Sequence, residues 1–231
     1  MLKIENLSLH YGQSQILYDV NLTASVGAVT AVMGTNGVGK TSLLEAISGR
    51  HSGSSGIVKV NGEDIAKKSA YDAARKGVAY VPQGREVFPM MTVMENLETG
   101  FACLPPSEWS VPDKIFDLFP VLRDIRGRRG GDLSGGQQQQ LAIARALITQ
   151  PKVLLLDEPT EGIQPNVIQQ FGDAISLLNN DAKMVIVLVE QNADFAFNLA
   201  DRIVLMKRGT VKRHVSKSDY SKGELIEDLA I

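Results

Sequence analysis

Apolar and polar residues alternate through the first segment, "LKIENLSLHY", with Leu2 and Ile4 followed by Leu7 and Leu9. A period of two predicts a half-buried strand. "VTAVM" (29–33) is apolar and rich in β-formers, and it runs straight into a glycine-rich loop. Beyond the loop, "KTSLLEAISG" sets Leu43, Leu44 and Ile47 at helical spacing, with Gly49 as the stop. "IVKVNG" (57–62) predicts a strand closing in an Asn-Gly turn, and "GVAYVPQ" (77–83) another short strand. From about Val93 to Gly130 the pattern changes. Helical patches such as "VMENL" and "DKIFDLF" alternate with proline-bearing loops, which predicts a helical insert. Helix resumes in "GQQQQLAIARALITQ", whose four glutamines are good helix formers. "KVLLLDE" (152–158) and "KMVIVLVEQ" (183–191) are nearly continuous apolar runs, as expected for strands buried on both faces of a parallel sheet. "RIVLMKRGTVKRHV" (202–215) reads as a hairpin. Strands alternating with helices predict an α/β fold, with neither an internal repeat nor a long linker.

Composition narrows this only slightly. With 44% hydrophobic and 22% charged residues the chain matches an ordinary globular protein. Its 24 basic and 26 acidic residues leave a net charge of −2, so no strong overall field favours nucleic acid or anionic lipid. "RGRR" (126–129) is the best candidate for a local basic patch and reads as a solvated loop. The single cysteine, Cys103, can form neither an internal disulfide nor a cysteine metal cluster, consistent with a reducing cytoplasm. The segment "MLKIENLSLHYG" has no basic-then-apolar leader pattern, and no apolar run approaches the ~20 residues needed to span a bilayer. The expectation is a protein that reaches a membrane only by docking to another chain.

Candidate chemistry starts at "GTNGVGKT" (34–41), which fits G-x-x-x-x-G-K-[ST]. The strand before it and the helix after it are the context that motif needs. Gly34, Thr35, Asn36, Gly37, Val38, Gly39, Lys40, Thr41 and Ser42 are the expected phosphate-binding stretch. Glycines let the backbone approach closely, so that amides at a helix N-terminus face the phosphate oxygens. Lys40 is expected on the β- and γ-phosphates and the Thr41 hydroxyl on Mg²⁺. "LLLDEP" then delivers Asp157 and Glu158 at the carboxyl end of a buried strand, where α/β sheets bind ligands. Asp157 fits an acidic residue that helps hold Mg²⁺. Glu158, one place further on, fits a general base that polarises a water for attack on the γ-phosphate.

"LSGGQ" (133–137) precedes the next helix directly. Ser134, Gly135, Gly136 and Gln137 make a second anion cradle at that helix start. Two cradles per chain make sense if two copies meet head to tail. Each nucleotide then lies between one chain's residues 34–41 and the other's 134–137, and a twofold pair fills both sites.

"GTNGVGKT", "YVPQ", "LSGGQQQQLAIARAL" and "VLLLDEPTEG", in that order, resemble the ATP-binding subunit of ABC transporters over essentially the whole chain. The resemblance implies a P-loop ATPase core with an antiparallel β subdomain and a helical subdomain carrying the signature motif. One ATP-binding domain would span 1–231, with core at 1–92 and 150–231 and helical part at about 93–149. It implies ATP and Mg²⁺ as cofactors and a head-to-tail dimer with a second ATP-binding subunit, either the same chain or a related one. It further implies two transmembrane permease subunits, indirectly an extracytoplasmic substrate-binding protein, no nucleic acid, and a peripheral place on the cytoplasmic face of the inner membrane. By the same resemblance Tyr11 would stack on adenine, Gln83 would touch Mg²⁺ and the attacking water and report nucleotide state to the helical insert, and "EGIQP" (161–165) would line the dimer interface. "PQGREVFPMMTVMENLETG" resembles the branch serving branched-chain amino acid and urea or amide importers, and "RRGGDLSGGQQQQLAI" with "DEPTEGIQP" resembles the urea importer's subunit most. Many relatives carry a histidine on the γ-phosphate where "VEQNAD" puts Gln191. Gln donates a hydrogen bond but cannot become a cation near neutral pH, so Gln191 reads as a weaker catalytic sensor.

Other readings compete. A non-transport ABC ATPase normally carries two cassettes or a long coiled coil, and this chain has no sustained heptads. A nucleotide switch that binds ATP and dimerises but barely hydrolyses is opposed by Glu158 and kept open by Gln191. A phosphotransferase would need an acceptor pocket, for which 93–130 offers no convergent polar set. His10, His51 and His214 have no metal-ligand spacing. Met90 and Met91 suit a membrane partner's adaptable contact surface, and Trp109 reads as a loop anchor.

Overall fold

The alternation that opens the chain becomes the antiparallel hairpin of β1 (Leu2–Tyr11) and β2 (Ser14–Ala24). The computed structural model describes residues 1–51, 55–181 and 184–230. β1 also pairs with β4 (Ser55–Val60), and β4 with the two-residue β5 (Glu63–Asp64), giving a four-stranded sheet in the order β2-β1-β4-β5. The turn after β4 is the expected Asn-Gly, with Asn61 at φ 50° and Gly62 at φ 87°.

The second sheet has six strands. They are β3 (Ala28–Met33), β6 (Val78–Val81), β7 (Val153–Asp157), β8 (Val185–Val189), β9 (Arg202–Lys207) and β10 (Thr210–Ser216), in the order β10-β9-β3-β8-β7-β6. All neighbours run parallel except the β9–β10 hairpin at one edge. Lys183, the first residue of the apolar run expected to form β8, lies outside the described residues.

Strand periodicity sends alternate residues of β7 to opposite faces. Val153 and Leu155 join the core formed with β1, β2 and the helix α1 (Lys40–Ser48). Leu154 and Leu156 join a second core with Leu97, Leu141, Phe171 and Ile175. β8 divides in the same way, Val185, Val187 and Val189 to the first core and Ile186 and Leu188 to the second. A strand that is apolar at every position therefore needs cover on both sides, and finds it. Burying one such leucine stabilises the fold by about 1.5–3 kcal/mol.

The helices follow the sequence pattern closely. α1 stops at Gly49, in the left-handed region at φ 72°. α2 (Ala70–Arg75) precedes β6. The region expected to be helical holds α3 (Val93–Glu98), α4 (Asp113–Leu118), α5 (Pro120–Asp124) and α6 (Gly135–Ile148). α3 opens with a full capping box, Thr92 and Glu95 satisfying each other's amides. α7 (Pro165–Asp181) covers the second core, and α8 (Ala193–Leu199) and α9 (Lys222–Ala230) cover β3 and β9. Trp109 is 56% exposed, but its Nε1 donates to the Leu104 carbonyl at 3.1 Å and its ring stacks on Phe101, the anchoring expected of it. The side chains of Arg126, Arg128 and Arg129 are exposed, so the basic run is a solvated loop.

Candidate functional site

Register places the site. Val32 of β3 and Asp157 of β7 both pair with Val189 of β8, and Val81 of β6 pairs with Leu156. The residues that follow these strands therefore emerge side by side at the carboxyl ends of the parallel strands: the glycine loop, Glu158, Gln191 and Gln83. Asn36, Gly37, Gly39, Lys40, Thr41, Ser42, Gln83, Glu158 and Gln191 line one cleft of about 430 Å³, with Ile16 and Glu161.

The loop has little freedom to vary. Gly39 caps α1 at φ 100°, and a Cβ there would lie 2.8 Å from the Leu17 side chain. Lys40 is 5% exposed and folds back over the loop, its Nζ donating to the carbonyls of Gly34 at 2.8 Å and Thr35 at 3.0 Å. Burial pushes the Lys40 ammonium below its ordinary range, and the carboxylates of Glu158, Asp157 and Glu190 oppose that shift. An ammonium held by two neutral carbonyls can transfer to phosphate oxygens, which are stronger acceptors.

Asp157 lies under Thr41. Its Oδ1 accepts from Thr41 Oγ1 at 3.3 Å and its Oδ2 from the Tyr80 hydroxyl at 3.0 Å. Burial raises its pKa above the usual carboxylate range, and the bonds from Tyr80 and Thr41 pull the other way. A hydroxyl and a carboxylate oxygen beside a phosphate loop are the hard oxygen donors that Mg²⁺ takes.

Glu158 turns out of β7 with φ 44°, a left-handed conformation that costs a non-glycine residue about 1–2 kcal/mol. Its amide donates to the Val189 carbonyl at 2.9 Å. Its carboxylate is 3.9 Å from Lys40 Nζ and accepts at Oε2 from Gln191 Nε2 at 2.6 Å and Gln83 Nε2 at 3.3 Å. Gln83 also donates to Glu161 at 2.9 Å. The two glutamines thus fix the carboxylate at the mouth of the cleft.

Not every expected residue lines that cleft. Val38 is buried in the first core, and Gly34 and Thr35 border a separate cavity beside Met206 and Lys207. The Tyr11 hydroxyl donates to Glu45 of α1 at 2.7 Å, and its ring stacks on His51 at 4.4 Å between centroids. Ser134–Gln137 are absent from the cleft lining. Ser134 caps α6, with its Oγ accepting from the Gln137 amide and the Gln137 side chain accepting from the Ser134 amide. The amides of Gly135 and Gly136 have no intrahelical acceptor.

Four contributors escaped the sequence reading. Tyr80 had a signal: it is the one residue of "VAYV" whose tip needs a polar partner. Glu190 is 2% exposed and accepts from the amides of Thr160, Gln191 and Asn192 and from the Thr160 hydroxyl, so it braces the loop that carries Gln191. Ile16 and the His51 ring carry no motif.

A phosphate loop at a helix start after β3, with acidic residues at the end of β7 on the far side of β8 in the same parallel sheet, defines a nucleotide-binding α/β ATPase. Residues 17–161 match the ABC transporter family, and the chain belongs to it: it is an ATP-binding, ATP-hydrolysing ABC transporter subunit. The chain is 40% identical over 215 residues to the high-affinity branched-chain amino acid transport ATP-binding protein BraG of Pseudomonas aeruginosa, covering 93% of this chain and 92% of that protein. It is 37% identical to the probable branched-chain amino acid transport ATP-binding protein LivF of Archaeoglobus fulgidus, covering 100% and 98%. Among solved structures, a nucleotide-free ATP-binding cassette from an ABC transporter superposes with a TM-score of 0.85 at 25% identity, covering 100% of this chain and 95% of the other. A dimeric bacterial ABC transporter cassette superposes at 0.82 with 24% identity, covering 94% and 99%, a likeness of fold alone. Among the described residues no helix is long and apolar enough to cross a membrane.

Proposed function

We propose that this chain powers an ABC importer for branched-chain amino acids, with Glu158 as the general base of ATP hydrolysis. The placement of the Glu158 carboxylate, 3.9 Å from Lys40 and tied to Gln191 and Gln83, carries the reading. Residues 36–42 bind the phosphates. Thr41, Asp157 and Gln83 would hold Mg²⁺, which would supply charge neutralisation for phosphoryl transfer. Glu158 takes the proton of the attacking water, and Gln191 and Gln83 hold its carboxylate for that task. Tyr11 carries the adenine on one face of its ring, with the His51 ring stacked on the other.

The chain is one ATP-binding domain, with 93–149 as the helical part. It works as one of two ATP-binding subunits on the cytoplasmic face of the inner membrane. Two permease subunits and, through them, an extracytoplasmic binding protein complete the importer. Ser134–Gln137 of each subunit close over the nucleotide of the other. The names of the relatives at 40% and 37% identity support amino-acid cargo. The stretches "RRGGDLSGGQQQQLAI" and "DEPTEGIQP" favour urea or a short amide as the second reading. Identifying the permeases that copurify with the chain from its own cells separates the two.

Glu158→Gln keeps the size of the side chain and its nucleotide contacts but removes the base. Steady-state ATP turnover is expected to fall by at least about 10²-fold with nucleotide affinity retained. Turnover within a few-fold of wild type would remove Glu158 from its role.

A further inference from the structure

Asp157 is 1% exposed, so bulk water cannot satisfy its carboxylate, and each oxygen needs a partner from the chain or a bound cation. The Thr41 hydroxyl, at the start of α1, takes Oδ1 at 3.3 Å. Oδ2 is taken from the side of β6, where the Tyr80 hydroxyl donates at 3.0 Å. Strand pairing brings the two groups together. Tyr80 pairs with Leu155 and both pack on the first core, while Asp157, two places beyond Leu155, points to the same face of β7. Tyr80 is the one polar side chain in β6. The nearby Arg50 guanidinium lies over the Tyr80 ring, 5.5 Å from its centroid, and is paired with both Glu86 oxygens at 3.1 and 3.0 Å. What reaches the Asp157 carboxylate from β6 is therefore a neutral donor. At neutral pH a phenol donates a hydrogen bond without cancelling the charge that a metal needs.

We propose that Tyr80 is a positioning residue for the metal site: by holding Oδ2 of Asp157 it fixes the carboxylate so that Oδ1 stays beside the Thr41 hydroxyl, ready for Mg²⁺. The ring packs on the core and so sets the direction of the hydroxyl. Tyr80 is absent from the cleft lining, so it acts through Asp157 and Thr41 and not on the nucleotide itself. Partners of this kind orient a ligating carboxylate, and losing one typically costs roughly 10- to 100-fold in metal affinity or activity.

The inference rests on the reading of Asp157 as a residue that holds Mg²⁺, and two variants of the full-length chain separate the two claims. Tyr80→Phe keeps the ring and deletes only the hydroxyl. Its ATP turnover is measured against Mg²⁺ concentration, and its binding of a fluorescent ATP analogue is measured with Mg²⁺ and with EDTA. Half-saturating Mg²⁺ is expected to rise by roughly 10-fold. At saturating Mg²⁺, kcat is expected to stay within about threefold of wild type, because the hydroxyl touches no reacting atom. Nucleotide affinity in EDTA is expected to match wild type. Mn²⁺ binding in the presence of ADP, followed by electron paramagnetic resonance, is expected to weaken by the same roughly 10-fold with no turnover involved. If Tyr80→Phe does not fold, Tyr80→Met, which also lacks the donor, carries the same expectations. A hydroxyl with a purely structural role would lower the urea midpoint and leave the Mg²⁺ dependence unchanged. That result, an equal loss of nucleotide affinity in EDTA, or a fall in kcat that Mg²⁺ does not restore would each overturn the proposal. An Asp157→Asn form with the Mg²⁺ dependence of wild type would instead overturn the metal reading beneath it.

Discussion

At the residue scale, the informative contacts are the ones that hold a charge in place. Gln191 follows the end of β8, and its side-chain amide donates to Glu158 at 2.6 Å. On the proposed reading of Glu158 as the base, that contact orients its carboxylate. Neutral glutamine does so without adding a positive charge beside the carboxylate. Gln191→Ala is therefore expected to lower kcat by about 10-fold, the equivalent of one hydrogen bond to a charged group, with little change in KM. Gln191→His is expected to change turnover by several-fold. Single-turnover ATP hydrolysis reads both, and rates equal to wild type would leave the contact without a catalytic role.

Elements explain how much of this the sequence reveals. The strands that build the site are the clearest, because β7 and β8 are apolar at every position and end in polar residues. The phosphate loop is legible for the same reason, as a glycine-rich break between two strongly patterned elements. Pairs that meet across long sequence separations are not legible. Gln83 and Glu161 are 78 residues apart and meet only because β6 and β7 are neighbours. The Tyr11–His51 stack likewise depends on where β1 crosses the end of α1, which no local pattern encodes. The start of α6 was readable as a helix N-terminus, but its capping box shows a second duty for Ser134 and Gln137. Ser134→Ala is expected to cost about 1 kcal/mol of stability, as loss of an N-cap does. Urea unfolding checks this through a lower midpoint at unchanged slope. An unchanged midpoint would mean that the cap contributes nothing.

Over the whole molecule, two glycine-rich helix starts stand apart, at α1 and at α6. The cleft holds phosphate-loop, acidic and glutamine groups from four adjacent strands, yet the second glycine-rich helix start lies outside it. On the proposed reading, residues 134–137 of one chain complete the cleft of the other across a twofold axis. The near-neutral net charge of −2 adds no strong repulsion between two copies. The most direct test is the structure of the Glu158→Gln form trapped with ATP, alone or with the cassette that copurifies with it. Each triphosphate is expected to lie between residues 34–42 of one subunit and 134–137 of the other, within hydrogen-bonding reach of both. A triphosphate fully enclosed by one chain, with Ser134–Gln137 standing in solvent, would contradict the account.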